Sequence, residues 1–218
     1  MLTDPKEIQI ISGARSKTVR DPKRSREHFE RIFSDFLADV RFDGMRLLDV
    51  GPGQYDFGEM ARARGAKVFG IDKDPAVVAL GRYKGFSVVS GDIRKIARDQ
   101  FPCPMDGVFC KYSINAFWFV DDAALQVHID EICSMLHADG WGWIAPWNGV
   151  PKNTPLDQDR IQDILIRQVA GFRCHGFEGV ELTQEQSLYY GVHGLTANRP
   201  LFTRNLVLPE RFNDNPGL

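Results

Sequence analysis

Cysteine is scarce in this sequence. The four present, Cys103, Cys110, Cys133 and Cys174, lie far apart, and none belongs to a Cys-x-x-Cys pair. That spacing speaks against a zinc cluster or a dense disulfide framework and fits buried thiols in a reducing compartment. Long apolar runs are missing too: no stretch approaches the ~20 residues of a membrane-spanning helix. Met1 to Gln9 are charged and lack the apolar stretch of a secretion signal. The expectation is a cytoplasmic protein with no membrane partner and no bound metal. An excess of one charge is also lacking. Lys and Arg number 27 against 29 Asp and Glu, for a formal net charge of -2, so there is no overall basic footprint for nucleic acid. Repeats, low-complexity tracts and obvious linkers are absent. The 218 residues, 43% of them hydrophobic, suit one domain with one sizeable core.

What is present is an alternation of strand and helix. Residues 1–20 read as a polar, basic lead-in containing Arg15, Lys17 and Arg20. From Asp21, the spacing of Phe29, Ile32, Phe33, Phe36, Leu37 and Val40 predicts an amphipathic helix, with Lys23, Arg24 and Arg26 in its first turns. Strands are expected at Arg46–Val50, Lys67–Ile71, Phe86–Ser90, Met105–Cys110 and Trp141–Ala145. Between them fall helices from Tyr55 to Arg64, from Pro75 to Tyr83, and along the stripe Leu125, Ile129, Ile132 and Leu136. A further helix is expected to end near Gly171. After it come a strand near Phe172–Gly179, a long loop rich in Gly and Tyr, and a strand near Phe202–Leu208. Strands apolar on both sides and separated by helices indicate a mostly parallel sheet covered on both faces, here with an antiparallel edge. Residues 1–44 are read as a tail and helix packing on a core domain of residues 45–218.

The run Leu47–Leu48–Asp49–Val50–Gly51–Pro52–Gly53–Gln54–Tyr55 carries the chemistry. A strand enters a turn in which Gly51 and Gly53 tolerate unusual backbone conformations and let a ligand approach closely. Asp72 ends the second strand about twenty residues later, where a carboxylate can accept bonds from ribose hydroxyls. A dinucleotide fingerprint requires a third glycine at relative position 6, and that place is held by Asp56. Its charge repels a pyrophosphate at the helix N-terminus. A nucleoside cofactor without phosphates there is expected, and a nicotinamide oxidoreductase is disfavoured.

With Asp49, Gly51, Gly53, Asp72 and Asp92 in register, residues 45–145 resemble the class I S-adenosylmethionine-dependent methyltransferases. The departure is Tyr55, where many members carry glycine, and it is expected to narrow the methionine end of the pocket. The resemblance implies an α/β, Rossmann-like fold with a central, mostly parallel seven-stranded sheet, an antiparallel edge strand and helices on both faces. It implies S-adenosylmethionine as cofactor. Asp49, Gly51, Gly53 and Tyr55 would lie at its methionyl part, Asp72 with neighbouring Lys73 at the ribose, and Asp92 and Ile93 at the adenine. Lys111, where strand four ends, is counted with both the cofactor and the acceptor.

The resemblance also places the segment after strand four beside the reactive methyl. Lys111, Tyr112, Ser113 and Asn115 arrive there, and Lys111, Tyr112 and Asn115 are the catalytic candidates. The run Phe117–Trp118–Phe119 lines a pocket or packs in the core. Trp147 and Asn148 are pocket candidates by position. The Asn/Asp–Pro–Pro–Tyr motif of methyltransferases acting on DNA bases or protein glutamine is missing at Lys111–Tyr112–Ser113. Among histidines, His137 reads as a cap or solvated, His128 as a surface residue, and His193 in the late loop as the best base candidate. The expected activity is methyl transfer to a small-molecule acceptor. RNA or protein methylation, with the basic N-terminal segment gripping the larger partner, is one alternative. A non-catalytic binding or partner subunit is the other, and the oligomeric state stays open.

Overall fold

The computed structural model describes residues 22–119, 121–150, 156–192 and 198–212. His193 and the basic residues Arg15, Lys17 and Arg20 lie outside them. The elements run α1 (Pro22–Phe36), β1 (Arg46–Val50), α2 (Asp56–Arg62), β2 (Lys67–Asp72), α3 (Pro75–Tyr83), β3 (Ser87–Ser90), β4 (Met105–Lys111) and α4 (Asp122–Ser134). They continue with β5 (Leu136–Ala145), α5 (Gln158–Cys174), β6 (Glu178–Glu181), α6 (Gln184–Tyr190) and β7 (Pro200–Arg204). The sheet order is β3-β2-β1-β4-β5-β7-β6. The first five strands are parallel, and β7 runs antiparallel to both β5 and the edge strand β6. Among the described residues no helix is long and apolar enough to cross a membrane.

Period-two alternation sorts the strand side chains between two cores. Leu47, Phe109, Trp141 and Trp143 join one cluster with Ile32, Phe33, Phe36 and Leu37 of the α1 region. Leu48, Val50, Val108, Cys110 and Ile144 join the other, with Leu125, Ile129 and Ile132 of α4 and Phe172 of α5. The first face is a column of rings: Phe57 stacks on Phe109 at 4.1 Å, and Phe109 on Trp143 at 4.9 Å. The same alternation puts Asp49 and Lys111, each two residues beyond a member of the first cluster, on the α1 face. Between β1 and β4 the winding reverses, and a ligand crevice opens there at the carboxyl ends of the strands.

The third part of the chain departs from expectation in three places. α5 continues through Gly171 to Cys174. Gly171 is a packing glycine: an added Cβ there would stand 2.8 Å from Ile129 of α4, so it marks a helix contact and not a stop. The expected loop rich in Gly and Tyr contains α6. It starts with a capping box between Thr183 and Gln186 and ends at Gly191 in the left-handed region. The last strand is Pro200–Arg204, shifted towards the N-terminus. His128 is also corrected. It is buried, because helical spacing sets it on the stripe Leu125, His128, Ile129 and Ile132, while its neighbour Val127 is exposed.

Tyr55 and α3 fit each other by size. The Tyr55 ring is buried, stacks on Phe86 at 4.9 Å, and donates its hydroxyl hydrogen to the Val77 carbonyl at 3.1 Å. Gly81 leaves the space: a Cβ there would lie 2.0 Å from the Tyr55 hydroxyl oxygen. In an open helix a Gly→Ala change gains about 1 kcal/mol. Here overpacking, which costs about 1–3 kcal/mol, outweighs it. Gly81→Ala is expected to lower the urea midpoint, and a raised midpoint would contradict the fit.

Candidate functional site

The turn after β1 is held from several sides. The Gly51 amide donates to Ile71 at 2.9 Å, and the Tyr55 amide to Pro52 at 2.8 Å. Lys84 Nζ donates to the Gln54 carbonyl at 2.8 Å, and Ser113 Oγ to the Gly51 carbonyl at 3.2 Å. Gly51 has φ +71, and its absent Cβ leaves room for Ser113 Oγ, which would otherwise lie 1.9 Å away. The turn then needs left-handed backbone again at Tyr55, φ 67. That is the conformation a glycine would supply; tyrosine takes it with its side chain turned into the core. Tyr55 therefore stays out of the cavity, and the expected narrowing of the methionine end is absent.

Over this turn lies a cavity of about 460 Å³. Its floor holds Asp49, Gly51, Gly53, Asp56 and Asp72, its far wall Phe109, Lys111 and Tyr112, and its roof Ser25, His28 and Phe29 of α1. Asp49 Oδ2 is buried with no hydrogen-bond partner among the described residues. Burial, then the charges of Asp72 and Asp56, push the Asp49 carboxyl well above the usual carboxylate range. Asp72 is raised mainly by burial, against a 2.8 Å bond its carboxylate accepts from the Asp74 amide. Asp56 accepts from Ser25 Oγ at 3.0 Å, which ties the roof to the N-terminus of α2.

Lys111, His28 and Arg24 are the basic residues of the lining. Lys111 Nζ lies 4.4 Å from the centre of the Phe29 ring. Burial lowers it to about 7, with Asp56 pulling the other way. Burial, then Lys111, Arg24 and Arg31, lower His28 to about 4, so its imidazole is neutral at pH 7. Gly191 makes room for that imidazole, since a Cβ there would stand 2.0 Å from His28 Nδ1.

Of the sequence-derived positions, Asp49, Gly51, Gly53, Asp72, Lys111, Tyr112 and Ser113 line one cavity. Lys73 is exposed and does not line it. Asp92 stands outside the lining, caps the turn at Ile93–Lys95, and pairs with Arg94 at 2.5 Å. That bond holds its carboxyl down at about 2. Ile93 is buried, with Cδ1 3.4 Å from where a Gly51 Cβ would stand. Asn115 is spent on structure: its carbonyl oxygen accepts from the Phe117 amide at 2.9 Å and its amide donates to Gly149 at 2.8 Å. Asn148 is buried against Gln168 at 2.6 Å, and Trp147 is exposed; neither lines the cavity. Phe117 packs in the core, and Phe119 lies against it, over the His128 ring. Sequence reasoning passed over His28. Its signal is its place one residue before Phe29 on the α1 stripe, on a helix edge turned towards the site.

No protein-family model matches the chain, and no curated protein does. Solved structures do. The amino pentose methyltransferase CalS10 of Micromonospora echinaspora, solved with S-adenosylmethionine bound, aligns at 17% identity and TM-score 0.52, over 93% of this chain and 97% of its own. The sugar N-methyltransferase KedS8 of a Streptoalloteichus species aligns at 18% identity and TM-score 0.55, over 96% and 95%. DesVI of Streptomyces venezuelae aligns at 12% identity and TM-score 0.56, over 93% and 98%. The chain has the class I methyltransferase fold. At these identities the likeness concerns the fold, and the chemistry must be argued from the cavity. Asp49 is the buried carboxylate of β1, two residues before Gly51 of the turn.

Asp49 links that site to stability. Its carboxyl titrates higher in the folded chain than in the unfolded one, so stability falls as pH rises from the ordinary carboxylate range through the folded value. Above that value the ionised group is a standing cost. Asp49→Asn is expected to stabilise the ligand-free protein at pH 7 by on the order of 1 kcal/mol. The gain should shrink towards pH 4, as read from urea unfolding at both pH values. An equal effect at the two would show that charge burial is not its cause.

Proposed function

We propose that this protein is an S-adenosylmethionine-dependent methyltransferase acting on a small-molecule acceptor. One observation carries the reading: three carboxylates, Asp49, Asp56 and Asp72, surround a glycine cradle, and the buried Asp49 Oδ2 has no hydrogen-bond partner among the described residues. Such a floor repels a pyrophosphate and favours a ligand with positive charge and hydroxyl donors. A sulfonium nucleoside has both. Asp72 would hold the ribose hydroxyls, Asp49 would take the charge or amine at the methionyl end, and Gly51 and Gly53 would admit the backbone close to the ligand. When bound, the cofactor supplies an electrophilic methyl group. The chain supplies orientation, through the cradle below and α1 above.

A cavity of 460 Å³ is of small-ligand size. The solved neighbours with sugar acceptors agree with a small acceptor here. A non-catalytic role through a blocked cofactor cavity is weakened by Tyr55, which is buried away from the cavity. Polymer methylation draws little from the basic face of α1. Arg31, for example, is spent on Tyr189, over its ring at 4.5 Å and on its carbonyl at 2.9 Å.

Calorimetry with S-adenosylmethionine, S-adenosylhomocysteine and NAD tests the reading, and preference for NAD overturns it. Asp72→Ala should weaken S-adenosylhomocysteine binding ten-fold or more, from the ~1.5–3 kcal/mol of a charge-assisted hydrogen bond. Unchanged affinity would remove the ribose role.

A further inference from the structure

Asp49 is 2% exposed, and the positions directly beside it in the sheet offer no hydrogen-bond donor. They are Gly70 of β2 and Phe109 of β4. Gly70 brings no side chain, and its space is filled by apolar atoms: a Cβ there would stand 3.3 Å from Pro52 Cγ and 3.6 Å from Tyr55 Cε1. Phe109 brings a ring stacked on Phe57 and Trp143. The Tyr55 hydroxyl is spent on Val77. The side left open is the cavity, which Asp49 lines with its Oδ2 unpartnered among the described residues. The titratable groups sharing that lining are Asp72 of β2, Asp56 of α2, Lys111 of β4, and Arg24 and His28 of α1. The charges that bear on Asp49 are those of Asp72 and Asp56, both of its own sign, while Lys111 bears on Asp56. On the core side, burial keeps the Tyr55 hydroxyl and the Cys110 thiol protonated.

A carboxyl group withdrawn from water, with no donor beside it and two like charges near, keeps its proton. We propose that Asp49 is protonated while the cavity is empty and gives that proton to solvent when the positively charged end of the cofactor enters, so that binding exchanges a proton for a cation. The proposal rests on the methyltransferase reading for the identity of the ligand. The step balances. The O–H bond breaks, the proton leaves to the buffer, and the carboxylate left behind pairs with the incoming positive charge, so this corner is neutral before and after. Burial and the two neighbouring carboxylates raise the Asp49 carboxyl, which is the direction the geometry demands. Two consequences follow from linkage. Cofactor affinity rises with pH by up to about ten-fold per unit below the value at which empty Asp49 ionises, and levels off above it. A neutral nucleoside brings no charge to exchange for the proton, so Asp49 selects for the cationic end of the ligand while Asp72 serves the ribose.

Calorimetry at pH 5.5 in buffers of different ionisation enthalpy counts the proton. S-adenosylmethionine should release about one per molecule bound, and 5′-methylthioadenosine, a neutral nucleoside thioether, none. Asp49→Asn, of the same shape but with no proton to give, should lose the release. No release with S-adenosylmethionine, equal release with the two ligands, or undiminished release in the variant overturns the inference. Infrared spectroscopy reads the same proton directly. The carboxylic-acid stretch that Asp49→Asn removes should be present in the ligand-free protein and vanish when S-adenosylmethionine is added; a ligand-free protein without it overturns the inference. If S-adenosylmethionine does not bind, the methyltransferase reading fails and the exchange with it, and the infrared band of the empty protein still decides whether Asp49 holds a proton.

Discussion

The site depends on one buried ring. A left-handed residue other than glycine costs roughly 1–2 kcal/mol, and Tyr55 accepts that conformation at the end of the β1 turn. The cost is offset because its side chain fills a core position between Phe86 and Gly81, and a buried aromatic is worth about 3–5 kcal/mol by deletion. The backbone thus keeps the path of a glycine turn while the side chain works as core. Gly51 and Gly53 remain where the ligand would approach; the third position, away from it, is free to anchor. Lys84, bonded to the Gln54 carbonyl and paired with Glu59 at 2.9 Å, closes the turn on its outer side.

Once the turn is fixed, strand alternation does the rest. Asp49 faces the same side as Leu47, and Lys111 the same side as Phe109, so the carboxylate and the amine both look towards α1. They share a cavity without forming an ion pair among the described residues. Each is driven towards its neutral form by burial, Asp49 upward and Lys111 downward. A positive charge placed beside the first would draw it back towards its ionised form.

Much of this was legible in the sequence. The strands carrying Asp49, Asp72 and Lys111 are short, apolar and punctuated by glycine, and their spacing led directly to a parallel sheet; the family resemblance added seven of the residues lining the cavity. The last third was harder for physical reasons. Gly171 reads as a stop, but its missing side chain lets α4 and α5 touch. The capping box at Thr183 and Gln186 is a two-residue signal inside a stretch dominated by Gly and Tyr. His128 sits beside exposed residues in the chain and on the buried stripe in the helix; only the period separates the two. Asn115 shows the opposite limit. A polar residue next to the site is as able to brace a turn as to meet a substrate, and its hydrogen bonds, which sequence does not display, decide between them. His28 was hidden because its role comes from α1 folding over a turn some twenty residues further along the chain.

That distance bears on specificity. Asp49 and Asp72 belong to the sheet, and Asp56 to the helix that follows the turn. The groups that differ in kind, His28, Phe29 and Ser25, come from α1, which reaches the cavity through contacts of its own: Ser25 on Asp56, Phe29 on Phe109 at 5.9 Å, and His28 against Gly191. A chain that changed only those helix positions would keep its turn and its buried Asp49 while presenting another wall to the cavity. Solved proteins of the same fold at 12–18% identity speak for the fold alone, so the roof of the cavity has to be read from the residues that α1 and the end of β4 bring together in this chain.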